Sequence, residues 1–323
     1  MEIAGDNLDD VLIAVYEALL KHGAENHGTR GDTLELLGVA LCLKNPRARL
    51  SRSENRGKSL SALGELLWYL SKKKDVVFIE QYVPAYANEA EPDGTVNGGY
   101  GPRLFSMRDS IDQVQNVIDL LKSKPSSRRA VIQLFNAEDI AAQRKEVPCT
   151  TTIQFFLRDG QLHMAATLRS NDAYLGLPHD VFCFTMLQEM VASELGVNLG
   201  GYMQYVGSMH VYCKDIDNLS QYINEGHHRI EQMPSMPSGK AFEYGALLLE
   251  CEKRMRAGEN FDASTVLGES YWADLCRLLQ AFWASGLSTR LDELIEEFSD
   301  PMYRVYAETR RKMKPKTFSE SDV

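Results

Sequence analysis

The sequence lacks the features of a membrane, secreted or metal-binding protein. No apolar run approaches the ~20 residues that cross a bilayer, so we expect no membrane contact. Residues 1–10 carry acids and no basic or apolar leader, which predicts that no secretory signal is present. The six cysteines have no CxxC spacing, and the seven histidines have no HExxH or paired spacing. These absences predict a cytoplasmic protein with reduced thiols and no metal site.

Excess basic charge is also missing. A formal net charge of −10 argues against a protein that binds nucleic acid or a membrane surface. The hydrophobic content of 44% and the charged content of 25% are typical of a soluble globular protein. A chain of 323 residues can bury a sizeable core. Basic residues still cluster locally, and such clusters can bind a phosphate.

The chain is organised around a cysteine that directly follows a proline. Cys149 lies at the start of a β-branched and aromatic run, 150–156, which is typical of a strand. Pro148 fixes φ and cannot donate a ladder hydrogen bond, so we expect the thiol at a strand edge or loop junction that faces a cleft. The alternative for a lone cysteine is a buried structural role.

Hydrophobic patterning predicts an α/β (α+β) domain over residues 1–236 and a helical C-terminal extension, 237–323, packed on the same domain. The predicted strands are 34–43, 76–79, 130–135, a hairpin of 151–157 and 162–168, 202–206 and 209–212. The predicted helices follow Asn7, span 60–70, follow a cap at Asp109, run from Pro178 to about 195, and lie near 240–256, 268–285 and 288–313. The residues 27–32 and 87–102 are predicted to be loops.

Four polar clusters accompany Cys149. They are Gly64–Leu70 (GELLWYL), the pair Arg128 and Arg129, the run RSND at 169–172 followed by GLPHD, and GSMHVY at 207–212. Each cluster alone has an ordinary explanation: a partnered buried acid, solvated arginines, a helix cap or a core histidine.

Together and in this order, the clusters resemble the thymidylate synthase family. The segments GELLWYL, YG, RR, PCxxxxQF, RSxDxxLGLP and HxY occur in the family's order between about residues 30 and 212. The resemblance implies the family's fold, a large mixed β-sheet flanked by helices. It also implies a pyrimidine nucleoside monophosphate substrate, 5,10-methylenetetrahydrofolate as cofactor, and a homodimer with shared active sites.

The resemblance further implies a role for each matching residue. Cys149 would add to C6 of the pyrimidine ring, while Glu65 and Tyr100 would serve proton transfer. The remaining implied roles are phosphate binding by Arg30, Arg169 and Ser170, phosphate binding in the neighbouring subunit by Arg128 and Arg129, sugar binding by His210 and Tyr212, and a folate-side position for Asp172.

Chemistry accounts for these residue types. A thiolate suits reversible addition to C6, and we expect nearby arginines to lower the pKa of Cys149. Guanidinium groups suit a phosphate dianion because they can form paired hydrogen bonds. We expect desolvation to raise the pKa of Glu65, since its helix is apolar.

Asp180 departs from the family pattern and bears on the base. Thymidylate-forming members carry Asn at this position, and an amide matches O4 and N3–H of uracil. A protonated carboxyl group instead matches cytosine, because one oxygen accepts from N4 and the other donates to N3. Aspartate here resembles the pattern of the cytidylate hydroxymethylases. The alternative is that Asp180 only stabilises a helix start.

Further departures point the same way. Thr150 replaces the histidine that usually follows the cysteine, and residues 81–86 lack the usual tryptophan of the folate pocket. The helical C-terminal third has no counterpart in the ordinary synthase. A pocket rebuilt in this way could admit water to the methylene intermediate, so that the product is hydroxymethyl instead of methyl.

The leading hypothesis is therefore folate-dependent 5-hydroxymethylation of a cytidine monophosphate. Ser170 and the pair Arg128 and Arg129 keep the pattern of the deoxynucleotide enzymes, which favours dCMP over CMP. One alternative is 5-methylation of dCMP or dUMP. Another is a non-catalytic nucleotide-binding or RNA-binding member of the fold, against which the intact Cys149 and Glu65 argue.

Overall fold

One mixed β-sheet forms the centre of the computed structural model, which describes residues 1–28, 30–53, 59–268 and 270–316. Within these ranges seven strands pair in the order β1-β3-β7-β6-β5-β4, and β2 also pairs with β3. The strands are β1 (Glu2–Gly5), β2 (Ala24–Gly28), β3 (Gly31–Leu43), β4 (Val131–Gln133), β5 (Thr150–Arg158), β6 (Gln161–Asp172) and β7 (Asn198–Tyr212).

The pairing of β6 with β7 places polar side chains together at the carboxyl ends of these two strands. These two strands run parallel, with Ser170 beside Ser208 and Asp172 beside His210. The carboxyl ends of parallel strands lie at the same end of the sheet, so the last residues of β6 and β7 come together there. The strand β5 is antiparallel to β6, so its first residue, Thr150, pairs with Leu168 near the carboxyl end of β6.

Helices cover one face of the sheet. The longer ones are α1 (Leu8–His22), α2 (Ser59–Leu70), α5 (Gln113–Ser123), α6 (Gly176–Leu195), α7 (Ile216–Glu225), α8 (Ala241–Arg256), α10 (Ser270–Trp283) and α11 (Ser288–Glu297). The shorter ones are α3 (Val76–Glu80), α4 (Tyr100–Phe105), α9 (Ala263–Leu267) and α12 (Arg304–Glu308). Most of α6 is buried, because it packs between the sheet and α2. A helix that is apolar on nearly all sides is expected in such a central position.

The helices after residue 240 pack onto this core. Both α8 and α10 contact α2, and α8 also contacts α6. Tyr82 stacks on Phe282 of α10 with ring centroids 4.5 Å apart, and its hydroxyl donates to Glu252 of α8 at 2.9 Å. The C-terminal helices therefore contact the segment that follows α3. None of the helices in the described ranges combines the length and hydrophobicity that crossing a bilayer requires.

Several predicted elements were wrong in type or position. The predicted strand 76–79 is the helix α3, which Asp75 caps by accepting from Phe78 N at 3.3 Å. A short apolar run does not distinguish a buried strand from a buried helix. The third helix begins at Gln113 with Asp112 as its cap, because Asp109 has a φ of 64° in the preceding turn.

Other strand boundaries differ from the predicted ones without changing the architecture. The two strands predicted at 202–206 and 209–212 are one continuous β7, and the strand 130–135 shortens to β4. The predicted loop 27–32 contains the turn of the β2–β3 hairpin, with Arg30 in that turn and Thr29 outside the described residues. The hairpin of β5 and β6 confirms the strands predicted on either side of Asp159.

Candidate active site

A single pocket gathers most of the predicted site residues. Its volume is about 1680 Å³, whereas a pocket for one drug-sized ligand is typically ~300–1,000 Å³. The space is therefore sufficient for two ligands. The predicted residues that line it are Arg30, Glu65, Tyr100, Cys149, Arg169, Ser170, Asp172, Asp180, His210 and Tyr212. Arg128 and Arg129 are exposed and do not line it.

Arg169 holds the segment that carries the thiol. Its Nε donates to the carbonyl of Pro148 at 2.9 Å, and its Nη2 donates to the carbonyl of Val147 at 2.8 Å. The same Nη2 lies 3.7 Å from Cys149 Sγ. The backbone N–H of Arg169 also donates to the carbonyl of Cys149 at 2.8 Å. These four contacts fix the thiol at the junction of the loop and β5, as the Pro148–Cys149 pattern predicted.

The arginines lower the pKa of Cys149 as expected, but they do not bring it below its usual value. Burial raises the pKa of Cys149 to about 11, the Arg169 charge opposes this, and Asp180 and Glu146 add to it. Desolvation of the thiolate outweighs the charges of the two guanidinium groups, Arg169 and Arg30, that lower this pKa. The free thiol is therefore mostly protonated at neutral pH.

Glu65 lies at the centre of a buried hydrogen-bond cluster. Its Oε1 accepts from the hydroxyls of Tyr69 and Tyr86, each at 2.9 Å. Its Oε2 lies 2.7 Å from His179 Nδ1, while His179 Nε2 lies 3.1 Å from Ser61 Oγ. Tyr69 is one helical turn from Glu65 on α2, so the spacing of four residues brings these side chains together.

This cluster reverses the expectation for Glu65. Burial raises the pKa of Glu65, but the hydrogen bonds from His179, Tyr86 and Tyr69 and the His179 charge together lower it below its usual value. The prediction of a raised pKa was wrong, because it considered the apolar helix and not the donors. Glu65 is therefore an ionised carboxylate in the pocket.

Asp180 behaves in the opposite way. Burial raises the pKa of Asp180 to about 8, the Glu65 charge adds to it, and the hydrogen bond from Asn171 opposes it. Asn171 Nδ2 donates to Asp180 Oδ2 at 2.6 Å, and Gln204 Nε2 donates to Asn171 Oδ1 at 3.1 Å. At neutral pH Asp180 is therefore mostly a neutral carboxyl group, with an ionised Glu65 nearby.

Tyr100 and Asp172 have structural contacts as well as a place in the pocket. The Tyr100 hydroxyl donates to Thr150 Oγ1 and accepts from Thr150 N, both at 3.0 Å. Burial, Asp180 and Cys149 raise the pKa of Tyr100 well above its usual value, so it stays protonated. Asp172 accepts from the backbone N–H groups of Tyr174 at 2.8 Å and Leu175 at 3.0 Å.

The ends of β6 and β7 and the β2–β3 turn complete the polar lining. Ser170 Oγ lies 3.4 Å from His210 Nδ1, and the rings of His210 and Tyr212 meet edge to face at 5.5 Å. Arg30 donates to Glu89 at 2.6 Å and to the Lys145 carbonyl at 2.8 Å.

Sequence reasoning missed four residues of the site. They are Tyr69, Tyr86, Asn171 and His179. The spacing of Tyr69 from Glu65 and the position of His179 beside Asp180 in the GLPHD segment were available signals. Tyr86 could not be found in this way, because the segment 81–86 meets α2 only in the folded chain.

A thiol held by an arginine, in a pocket with room for two ligands, is an arrangement suited to group transfer through a cysteine. A family model described as thymidylate synthase matches residues 18–243. The chain therefore belongs to the thymidylate synthase family. Enzymes of this family use 5,10-methylenetetrahydrofolate as cofactor and one-carbon donor.

Relatives and a solved structure agree with this assignment. Thymidylate synthase of Bacillus phage phi3T is 33% identical over 202 residues, which cover 60% of this chain and 72% of that protein. Thymidylate synthase 1 of Bacillus subtilis (strain 168) is 32% identical with the same coverage. The structure of thermostable thymidylate synthase A from Bacillus subtilis matches with a TM-score of 0.60 and 28% identity, over 70% of this chain and 86% of that one. The predicted fold is thereby confirmed.

Proposed function

We propose that this enzyme 5-hydroxymethylates a cytidine monophosphate, with dCMP favoured over CMP. The observation that carries the proposal is the neutral Asp180 in the pocket that also contains Cys149. A protonated carboxyl group can donate to N3 of cytosine and accept from its N4 amino group. Uracil presents N3–H and O4 and would need the proton on the other carboxyl oxygen, but Asp180 Oδ2 already accepts from Asn171 Nδ2.

The other lining residues have the chemistry that the nucleotide needs. Cys149 would add to C6 of the base, and Arg169 and Ser170 would bind the phosphate on the same side. His210 and Tyr212 would bind the sugar hydroxyl, since both end the neighbouring strand β7. Arg30 would bind the phosphate from the β2–β3 turn, and Asp172 would lie beside the folate. We propose these roles from the position of each residue in the pocket.

The pocket fits the cofactor beside the nucleotide. Its volume of about 1680 Å³ exceeds what one ligand needs, and Trp68, Tyr82 and Tyr86 supply aromatic lining. The cofactor would supply the one-carbon unit that joins C5 of the base. The protein's part is to hold the base through Asp180, to add through Cys149, and to control water and protons through Glu65.

Glu65 supplies the base that formation of a hydroxymethyl product needs. An ionised carboxylate can accept a proton from water, which a neutral one cannot do, and the cluster of Tyr86 and His179 keeps Glu65 ionised. Tyr86 lies in the segment where the family's tryptophan is missing, and its hydroxyl contacts Glu65 directly. Addition of water on the Glu65 side of the pocket would release tetrahydrofolate, whereas methylation would release dihydrofolate.

The uncovered sheet face supports a homodimer with shared active sites. In the described chain, Leu37, Val131 and Tyr205 are exposed on the strands, with 74%, 43% and 45% of their surface accessible. Exposed apolar side chains on one sheet face are typical of an interface. Arg128 and Arg129 precede β4 at this sheet, outside the pocket of their own subunit. They would therefore bind the phosphate of the neighbouring subunit's nucleotide.

A second function has its own support. The relatives named above are thymidylate synthases, so 5-methylation of dUMP is the alternative reaction. The test is incubation with CMP, dCMP, UMP or dUMP plus 5,10-methylenetetrahydrofolate, with mass spectrometry of nucleotide and folate products. We expect cytidylate to gain the mass of formaldehyde and tetrahydrofolate to appear. Gain of a methylene group with dihydrofolate, or turnover of uridylate alone, would contradict the proposal.

A further inference from the structure

The C-terminal extension forms one wall of the pocket. Phe282, Arg310, Met313 and Lys316 all line it, although the family model ends at residue 243. Lys316 Nζ donates to the carbonyl of Gln81 at 2.7 Å, so this wall joins the segment 81–86. That segment reaches Glu65 through Tyr86. The extension is therefore part of the lining of the ligand pocket as well as a packing surface.

Two cations of this wall lie over one aromatic ring. The guanidinium carbon of Arg310 is 5.0 Å from the centre of the Phe282 ring, and Lys316 Nζ is 4.3 Å from it. Arg310 also donates twice to Ser285 Oγ, at 3.0 and 2.7 Å. These contacts hold both charged groups in place at the pocket.

No carboxylate in the described ranges forms an ion pair with either cation. The ion pairs of the neighbouring basic residue Arg311 go to Asp292, away from the pocket lining. Burial lowers the pKa of Arg310, and burial and the Arg310 charge lower the pKa of Lys316. Partly buried like charges are unfavourable together unless an anion joins them. An anionic group of a ligand would provide that compensation.

We propose that Arg310 and Lys316 form a second anion-binding subsite of the pocket, which binds the glutamate carboxylates of the folate cofactor. The inference rests on the family's folate chemistry. The nucleotide phosphate belongs with Arg169, because that arginine contacts Cys149, which must reach the base of the same nucleotide. Arg310 and Lys316 instead contact Phe282 and Gln81. The folate has its reactive ring at one end and its carboxylates at the other, so the two basic groups serve different ligands.

The test compares two folates that differ only in the glutamate. Tetrahydrofolate carries it; tetrahydropteroate, used as its neutral primary amide so that no carboxylate remains, does not. Isothermal titration of each into the full-length protein saturated with dCMP measures binding without turnover. We expect Lys316→Gln and Arg310→Gln each to weaken the binding of tetrahydrofolate by about tenfold. A hydrogen bond between charged groups contributes a free energy of this size. Affinity for tetrahydropteroate should stay unchanged.

Two matched variants serve as controls. Lys314→Gln removes the same charge from an exposed residue that does not line the pocket, and it should leave both affinities unchanged. Lys316→Arg keeps the charge and should keep most of the tetrahydrofolate affinity. An equal loss of affinity for both folates in Lys316→Gln, or no loss of affinity for either, would overturn the proposed subsite. If the wild-type protein binds neither folate, the proposed function falls together with the subsite.

Discussion

The Asn171 side-chain amide donates to Asp180 Oδ2 at 2.6 Å, and this contact orients the carboxyl group. Gln204 fixes the amide in turn, because it donates to Asn171 Oδ1 and accepts from the Tyr202 hydroxyl at 2.6 Å. In a neutral carboxyl group, the oxygen that accepts a short hydrogen bond is the carbonyl oxygen. The proton of Asp180 is therefore expected on Oδ1, from which it can form a hydrogen bond to the pyrimidine base of the nucleotide.

Replacing Asp180 tests the substrate proposal. Asp180→Asn should weaken cytidylate turnover and improve uridylate turnover, because the amide matches O4 and N3–H of uracil. A mismatched buried polar pair costs ~1–3 kcal/mol, so the ratio of kcat/KM values should shift by about ten- to a hundredfold. The measurement is kcat/KM for dCMP and dUMP. Equal loss on both bases would make Asp180 a structural residue of the helix start.

The pH profile tests the same proton. The proposed function uses the protonated form of Asp180, and burial raises the pKa of Asp180 to about 8 in the free protein. Addition to C6 also needs the Cys149 thiolate, whose pKa is about 11, so the two titrations overlap in the kcat/KM of the free enzyme. The ratio of kcat/KM for cytidylate in the wild type to kcat/KM for uridylate in Asp180→Asn removes the thiol titration, and it should fall as the pH rises through about 8. A ratio that stays constant from pH 7 to about 9 would contradict a donating Asp180.

The thiol of Cys149 should be slow to react in the free protein. Because burial raises the pKa of Cys149 to about 11, little thiolate is present at pH 7, and alkylation should accelerate toward that pH. Arg169→Gln should slow the alkylation at neutral pH, since the Arg169 charge opposes the rise. Iodoacetamide labelling followed by peptide mass spectrometry measures this, with the exposed Cys213 as an internal control. Rapid labelling of Cys149 at pH 7 would show that the thiolate is already formed.

Loss of the nucleophile should separate binding from turnover. Cys149→Ser should abolish product formation while dCMP binding stays largely intact, because the proposed phosphate and sugar contacts do not involve the thiol. Each tenfold loss in rate corresponds to ~1.4 kcal/mol of barrier. More than trace turnover by the serine variant would exclude Cys149 as the nucleophile.

The contact between His179 and Glu65 should set the acid limb of activity. Without the donor at 2.7 Å, burial dominates and the pKa of Glu65 rises. His179→Leu should therefore move the acid limb of kcat/KM to higher pH. His179→Asn is the matched control, since its amide keeps a donor near the position of Nδ1. If both variants keep the wild-type profile, Glu65 does not act as the base.

Subunit mixing tests the shared sites. Arg129→Ala and Cys149→Ala should each be inactive as pure homodimers. A hybrid dimer has one site with both residues intact, so mixing the two variants should restore part of the activity. The readout is product formation after subunit exchange, which two differently tagged variants can demonstrate by co-purification. Exchange without recovery would show that Arg129 does not serve the neighbouring site.

The order of motifs around Cys149 allowed the family and the mixed fold to be predicted from the sequence. These features follow from local rules: a proline before a strand, period-two strands, and apolar helical faces such as that of α5. The division at residue 236, the cytoplasmic location and the role of each site residue stay predictions. The run 76–79 was misassigned because a few apolar residues satisfy either secondary structure.

The pKa values and the pocket wall were decided only by tertiary structure. The sequence placed Glu65 on an apolar helix, but the donors that ionise it come from residues 69, 86 and 179, which meet in the fold. Cys149 was expected to be activated by arginines, yet burial outweighs Arg169. Charge states depend on the balance of desolvation and specific partners, and that balance exists only once distant segments pack together. The same holds for Lys316, whose approach to Gln81 no local pattern could predict.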